Sequence, residues 1–571
     1  MMLSPALSRP NDGSLMKGLL RLLVVVIALL SLLPSLQLLV SALVDWRLGG
    51  QSSLGRVLSN PNTWVALWNS VYTSGLGALL SLLLGSLFAF CLGLMNIRGR
   101  QAWAFLFMLP MMIPPQVTAL SWLQLFGPGS VLLNSLGLAP GFGSPNPLYS
   151  AEGIAFLLGI QHAPLVFLTL RTQLQSLPQE QIEAARLNGA SLGRVFIDII
   201  LPLCRPALWA GAALAFVSAL GNFGIPAMLG IPISYFVLPV YIYQTLSSFG
   251  PSMLHEVASL SVLMGVLAVA IVTLQGIMQR RYALPLIGMV GRAASIATGK
   301  ARLAVEILLA LVLAGMLVAP LLALIATSLV PTLGVPLNGD TLTFAAWTGI
   351  FDEQSATWRA LSNSLLLSVS AAALLMALSL PLAWLLVRRP SRPLRWLHSL
   401  IDIPYTLPGV VLAIACILLF ARPLPLLNVS LSGTLMIIFF AYLARFLTVC
   451  LKPVHTSMLQ LDPAMEEAAS LAGADASQRL RHIVLPLLAP AAFAGALLVF
   501  LTAVNELTVS ALLWSAGKET LGVVVFNLDE SGEKVMASAI SVLVVGLVAV
   551  VMLLLGALGR YLPKGVIPWQ N

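Results

Sequence analysis

The sequence predicts an all-α polytopic membrane protein of about twelve spanning helices, in two pseudo-symmetric halves of six. Three observations carry this. The 571 residues are 59% hydrophobic and only 9% charged, with a mean hydropathy of +0.96. A soluble domain carries about 25% charged residues, so this chain cannot clothe itself in a water-facing surface. Apolar runs of about 20 residues, long enough to cross a bilayer, recur along it. Lastly, a polar segment of the first half returns in the second at a constant offset of 284. Glu183, Ala184, Ala185, Gly189, Ile199 and Pro202 match Glu467, Ala468, Ala469, Gly473, Ile483 and Pro486.

The first run, 18–44, follows Lys17 and Arg21 as a signal peptide would, but it exceeds the 7 to 15 apolar residues of a signal core. It is read as an uncleaved span. Further spans are expected at 69–96, 101–126, 152–175, 203–229 and 253–278, then at 302–328, 360–387, 394–421, 431–456, 487–515 and 535–559. The repeat extends into them. Asn69-Ser70 returns as Asn363-Ser364, and Pro110 and Pro114 return as Pro404 and Pro408, at an offset of 294. The change to 284 assigns ten extra residues to the Gly- and Pro-rich loop 127–151 of the first half. Six spans separate equivalent points, so the two halves are parallel, a duplication typical of transporters.

The net charge of +9 raises the question of nucleic acid, but the basic residues cluster between apolar runs, which marks topology instead. With the N-terminus inside, only Arg47, Arg56, Arg359, Arg422, Lys518 and Lys534 fall outside. Both termini are therefore expected in the cytoplasm. The organisation expected is a cytoplasmic tail at 1–17, a first membrane domain at 18–278, a basic linker at 279–301, a second membrane domain at 302–560 and a tail at 561–571.

On this topology both polar segments are cytoplasmic, each between the fourth and fifth spans of its half. In the second copy Asp462 suits an N-cap and Pro463 the first helical position, while Glu466 and Glu467 complement the helix dipole. Gly473 ends the helix where a left-handed residue is cheap. The first copy is expected to run likewise from Pro178 to Gly189, with Leu201-Pro202 and Leu485-Pro486 opening the next span. The product is a helix of about three turns with a narrow alanine side, shaped to be gripped.

Glu-Ala-Ala, three residues, Gly, nine residues, Ile, one residue, Leu-Pro resembles the loop signature of permeases in bacterial binding-protein-dependent ABC importers. Both copies satisfy it, and the similarity covers nearly the whole chain. The resemblance implies a type I (MetI-like) permease domain in each half, located in the bacterial inner membrane. It also implies that each motif docks in a groove of a separate cytoplasmic ATPase, two copies of which are expected, while a periplasmic binding protein delivers the solute. No phosphate-binding Gly-x4-Gly-Lys-Ser/Thr loop occurs, so the chain is expected to be no enzyme; ATP and Mg would sit on the partner ATPase, with no cofactor here.

Gly221-Asn222-Phe223-Gly224-Ile225-Pro226-Ala227-Met228-Leu229-Gly230 is similar to a stretch of the ferric-iron branch, though Asn222 stands where that branch has an acid. Ferric iron is the solute this implies. Thiamine, phosphonate, polyamine or another small solute for the same machinery is the alternative, and an ion-coupled secondary transporter is the alternative of another class. The latter needs charged relays across several spans and leaves the duplicated cytoplasmic helices unexplained. Asn222, Asn505 and Glu506 are candidates for the translocation path, because intramembrane polar groups are costly and often functional. His162 reads as a packing histidine and Asp402 as an interface anchor. Cys91, Cys204, Cys416 and Cys450 lie far apart in apolar sequence, and no metal-ligand spacing is present. Besides the two protein partners, membrane lipid is the only other expected contact, and nucleic acid is not one.

Overall fold

The computed structural model describes residues 10–141, 143–177, 179–248, 253–282, 301–352, 355–388, 392–423 and 430–559. The expected tail 561–571, most of the linker 279–301, part of the tail 1–17 and Pro178 lie outside them. Helices account for the spans. In the first half they are α1 (Leu20–Leu43), α2 (Pro61–Leu94), α3 (Arg100–Met112), α4 (Pro115–Leu125), α5 (Ala151–Gln175), α6 (Gln179–Leu187), α7 (Leu192–Leu220), α8 (Gly224–Ile233), α9 (Leu238–Leu246) and α10 (Met253–Gln279). The second half has α11 (Arg302–Ser328), α12 (Ala356–Arg388), α13 (Arg392–Thr406), α14 (Gly409–Phe420), α15 (Leu435–Gln460), α16 (Pro463–Leu471), α17 (Ala476–Val504), α18 (Leu521–Glu530) and α19 (Lys534–Ala557).

Ten of these helices are long and apolar enough to cross a membrane unaided. The third and ninth expected spans are each broken in two. Helices α3 and α4 meet at 98°, and α13 and α14 at 106°. Proline is the cause. A residue before proline avoids helical geometry, and Ile113 and Pro114 are both extended, with ψ 136° and 139°. At the second break Pro408 is also extended, at ψ 139°, although glycine and not proline follows it. Pro110 and Pro404, by contrast, lie inside α3 and α13. The segment 203–229, expected as one span, ends at Leu220; α8 and α9 then form a third bent pair, at 74°. The expected span 487–515 similarly ends at Val504.

Each half has a core of its second, fourth and fifth spans: α2, α5 and α7, then α12, α15 and α17. Lipid offers no hydrophobic drive between helices, so close packing over small residues takes over. A Cβ on Gly85 would lie 2.6 Å from the Ala163 carbonyl oxygen, and one on Gly495 would lie 2.8 Å from that of Cys450. The halves then exchange arms. The C-terminal part of α1 packs on α14 of the second half, and that of α11 packs on α4 of the first.

Candidate coupling helices and inter-half polar site

The two repeated segments form α6 and α16, each between the fourth and fifth spans of its half. Asp462 caps α16 by accepting from the Ala464 amide at 2.9 Å. At the other end Gly473 is left-handed, with φ +92°, and Gly189 matches it at φ +81°. The Ala474 amide donates to the Ala469 carbonyl at 2.9 Å, and Ala190 to Ala185 at 3.0 Å. These bonds close the same C-terminal turn in both copies. Glu183, Ala184, Glu467 and Ala468 are exposed, whereas Ala185 and Ala469 are half-buried.

Beside each glycine stands an apolar side chain that sequence reasoning passed over. Leu187 is 89% exposed and Leu471 is 90% exposed. They are equivalent by the offset of 284, and that recurrence was the available signal. An exposed leucine alone is ordinary, but the same leucine at the same corner of both segments marks a surface built for a partner.

The two helices are tied to their halves differently. In α16, Glu466 accepts from the Trp384 indole at 2.8 Å and from Arg388 Nε at 2.6 Å. Arg388 also donates to the Leu461 carbonyl at 3.0 Å. The ion pair is largely buried, with side-chain exposures of 17% for Arg388 and 11% for Glu466. The position equivalent to Glu466 in α6 is Ile182, which is buried in the apolar core. One segment is held by charge, the other by packing.

Leu201-Pro202 and Leu485-Pro486 do not open the next spans. Helix α7 starts at Leu192 behind a Ser191 cap, and α17 starts at Ala476 behind a capping box of Asp475 and Gln478. The prolines fall inside, each two residues after a π-turn: Phe196–Ile200, containing Ile199, and Leu480–Val484, containing Ile483. Pro lacks an N–H and crowds the carbonyl four residues back. The wider turn absorbs both effects, for Leu201 and Leu485 donate five residues back to Phe196 and Leu480. Pro34 and Pro320, in the first span of each half, follow π-turns in the same way.

Asn222, Asn505 and Glu506 sit at the ends of α7 and α17, not inside spans as the sequence suggested. There the two halves meet. The Asn505 amide donates to the Met112 carbonyl, at the break of the opposite half, at 2.7 Å. Its equivalent, Gly221, faces Pro408 at the other break; a Cβ there would lie 3.5 Å from that of Pro408. Asn222 is buried and accepts from the Ile225 amide at 3.2 Å. Glu506 accepts from the Val509 amide at 2.8 Å and faces Arg445 of α15 at 3.8 Å. Phe223 and Phe526 meet across the halves with ring centroids 5.9 Å apart.

Arg445 is the residue that sequence reasoning missed, although a lone arginine inside an apolar span was the signal. Its equivalent in α5 is Gln161, which donates to the Ile113 carbonyl at 2.9 Å. The first half thus places Gln161 and Asn222 where the second places Arg445 and Glu506. His162 bonds to the Leu158 carbonyl at 2.8 Å and is 8% exposed, consistent with packing. Asp402 is half-buried on α13. Among the described residues no three His, Cys, Asp or Glu side chains come together as metal ligands, and the four cysteines are buried and free.

The family described as binding-protein-dependent transport system inner membrane component matches this chain twice, over residues 81–284 and 376–567. A probable ABC transporter permease protein, y4fN, of Sinorhizobium fredii is 26% identical over 511 residues, 87% of each chain. The ferric transport system permease protein FbpB of Actinobacillus pleuropneumoniae is 25% identical over 543 residues, 94% of this chain and 77% of that one. The spermidine/putrescine transport system permease protein PotC of Haemophilus influenzae is 30% identical over 226 residues, 40% of this chain and 80% of its own.

Proposed function

This chain belongs to the inner membrane components of binding-protein-dependent transport systems, and from that premise we propose that it is the fused permease through which ferric iron crosses the membrane. It is a multi-pass ABC importer permease of the inner membrane, without an ATPase site of its own, and it works with an ATPase and a periplasmic binding protein. The reading of ferric iron rests on one observation. The relative named for ferric transport aligns along 94% of this chain, through both fused halves, whereas the polyamine relative aligns along 40%.

In this reading both termini are cytoplasmic and α6 and α16 each seat in one of two ATPase copies, which hold the ATP and Mg. Leu187 and Leu471 enter the ATPase grooves, and Gly189 and Gly473 let the backbone turn away beneath them. Closure of the ATPase pair pulls both helices together. Through Glu466 the pull reaches α12, and through the capped turns after each glycine it reaches α7 and α17. The far ends of those spans abut the breaks of the opposite halves, so rocking of the halves opens a path lined by Asn222, Asn505 and Glu506. Such rocking is alternating access, and a loaded binding protein biases it by binding one state better.

The test is reconstitution of the chain with its ATPase and its binding protein in liposomes. ATP-dependent uptake of ferric iron, with hydrolysis stimulated by the iron-loaded binding protein, is the expected result. Stimulation by the binding protein carrying another solute, with none from iron, would overturn the substrate and leave the permease reading intact.

A further inference from the structure

At the end of the first half nearest α6 lies a pocket of about 300 Å³ between α2, α3 and α5. Among the described residues, Arg100 and Gln101 of α3 line it with Arg171 and Gln175 of α5. Arg100 also donates to the Met95 carbonyl at the end of α2. Helix α3 begins here, and no side chain caps it. The Ala102 and Trp103 amides bond to the Gly99 carbonyl, and the positive end of the helix dipole lies at this turn.

The second half carries different residues at the same place. By the offsets of 294 and 284, Ala104 and Arg171 correspond to His398 and His455, whose rings stack with centroids 5.2 Å apart. Gly93 corresponds to Val387 and Gln175 to Leu459. At Gly93 and Ala104 the first half has the smaller residue, and Arg171 stands in place of an imidazole, while Arg395 of the second half stands where the first has Gln101. The pairing of Arg100 with Arg171 is thus a feature of the first half, for the second has Leu394 and His455 at those positions.

We propose that this pocket binds a phosphate-bearing anion, the headgroup of an anionic phospholipid of the cytoplasmic leaflet. Two guanidinium groups suit a phosphate better than any other common anion of that layer, since each offers paired donors in a planar fork. A helix N-terminus adds amides and partial positive charge. Basic pockets between spanning helices on the cytoplasmic side are where such headgroups bind. The leaflet assignment rests on the reading that α6 faces the cytoplasm. A bound lipid there would brace α2 against α5 just above the segment that meets the ATPase.

The test uses the full chain with its ATPase in nanodiscs of phosphatidylcholine doped with phosphatidylglycerol. Native mass spectrometry counts the retained lipid. Nanodiscs expose both leaflets, so the result depends neither on topology nor on the transported solute. The wild type should retain phosphatidylglycerol, and Arg100→Gln with Arg171→Gln should weaken retention about tenfold. Ala104→His keeps both arginines but places a ring in the cavity, and should also displace the lipid. Equal retention by wild type and both variants overturns the site. If inorganic phosphate alone, in phosphatidylcholine discs, raises the melting temperature of the wild type and not of the arginine variant as much as phosphatidylglycerol does, the occupant is soluble phosphate and the lipid is overturned.

Discussion

Glu506 and Arg445 are a charged pair where the other half of the molecule has a neutral one, and this makes their roles separable. Both are mostly buried, and their 3.8 Å separation is an ion contact without a direct hydrogen bond. Glu506→Asn strands Arg445, and removing one member of a buried pair costs about 3 kcal/mol. Adding Arg445→Gln installs the Gln161 and Asn222 chemistry of the first half and should restore the melting temperature. Uptake in liposomes should stay low in the double variant if the charge serves transport. Full uptake would return the pair to packing. A second residue-scale expectation concerns Gly189 and Gly473. A Cβ at Gly189 meets nothing within 4 Å, and both glycines are left-handed, so substitution at Gly189 costs the left-handed backbone, about 1–2 kcal/mol. Alanine at both positions should lower the melting temperature of the membrane domains only slightly while raising the ATP hydrolysed per solute imported several-fold. Normal coupling in that variant would refute the docking role.

Among elements, the contrast between α6 and α16 has a measurable consequence. Glu466→Ala removes two charge-assisted bonds to Trp384 and Arg388, each contributing about 1.5–3 kcal/mol. Amide exchange in α16 should quicken while that in α6 stays unchanged. Ile182→Ala should do the reverse, through a cavity costing about 2–4 kcal/mol. If exchange quickens in both helices for either variant, the two are not independently anchored. Legibility divides along the same elements. The ends of α16 were readable because Asp462, Pro463 and Gly473 act within a turn of themselves, and because the motif occurs twice. The breaks at Met112 and Thr406 were not, since a proline in an apolar run fits a kinked span as well as a bend near 100°. The start of α7 was misplaced for a related reason. Pro202 looks like a helix opening until a π-turn, which has no sequence signature of its own, carries the helix through it. Arg445 escaped because its meaning lies in Glu506 on another helix.

The whole molecule is held by reciprocal contacts. The first span of each half lies on the broken helix of the other, and the ends of α7 and α17 abut the opposite breaks. Any rocking of one half against the other must change these contacts, and the one between Gly221 and Pro408 can be locked. A Cβ at Gly221 would lie 3.5 Å from that of Pro408, within the roughly 3.5–4.5 Å that a disulfide spans. Gly221 has φ −83°, so cysteine fits its backbone, and the extended Pro408 is equally open to it. The four native cysteines are buried and compete little for an oxidant. Gly221→Cys with Pro408→Cys should transport when reduced, stop when oxidised and recover with a thiol reductant. ATPase binding should persist throughout, since α6 and α16 stand at the other end of their spans. Full-rate uptake by the quantitatively oxidised protein would mean that the halves do not move at this contact, and that the path opens elsewhere.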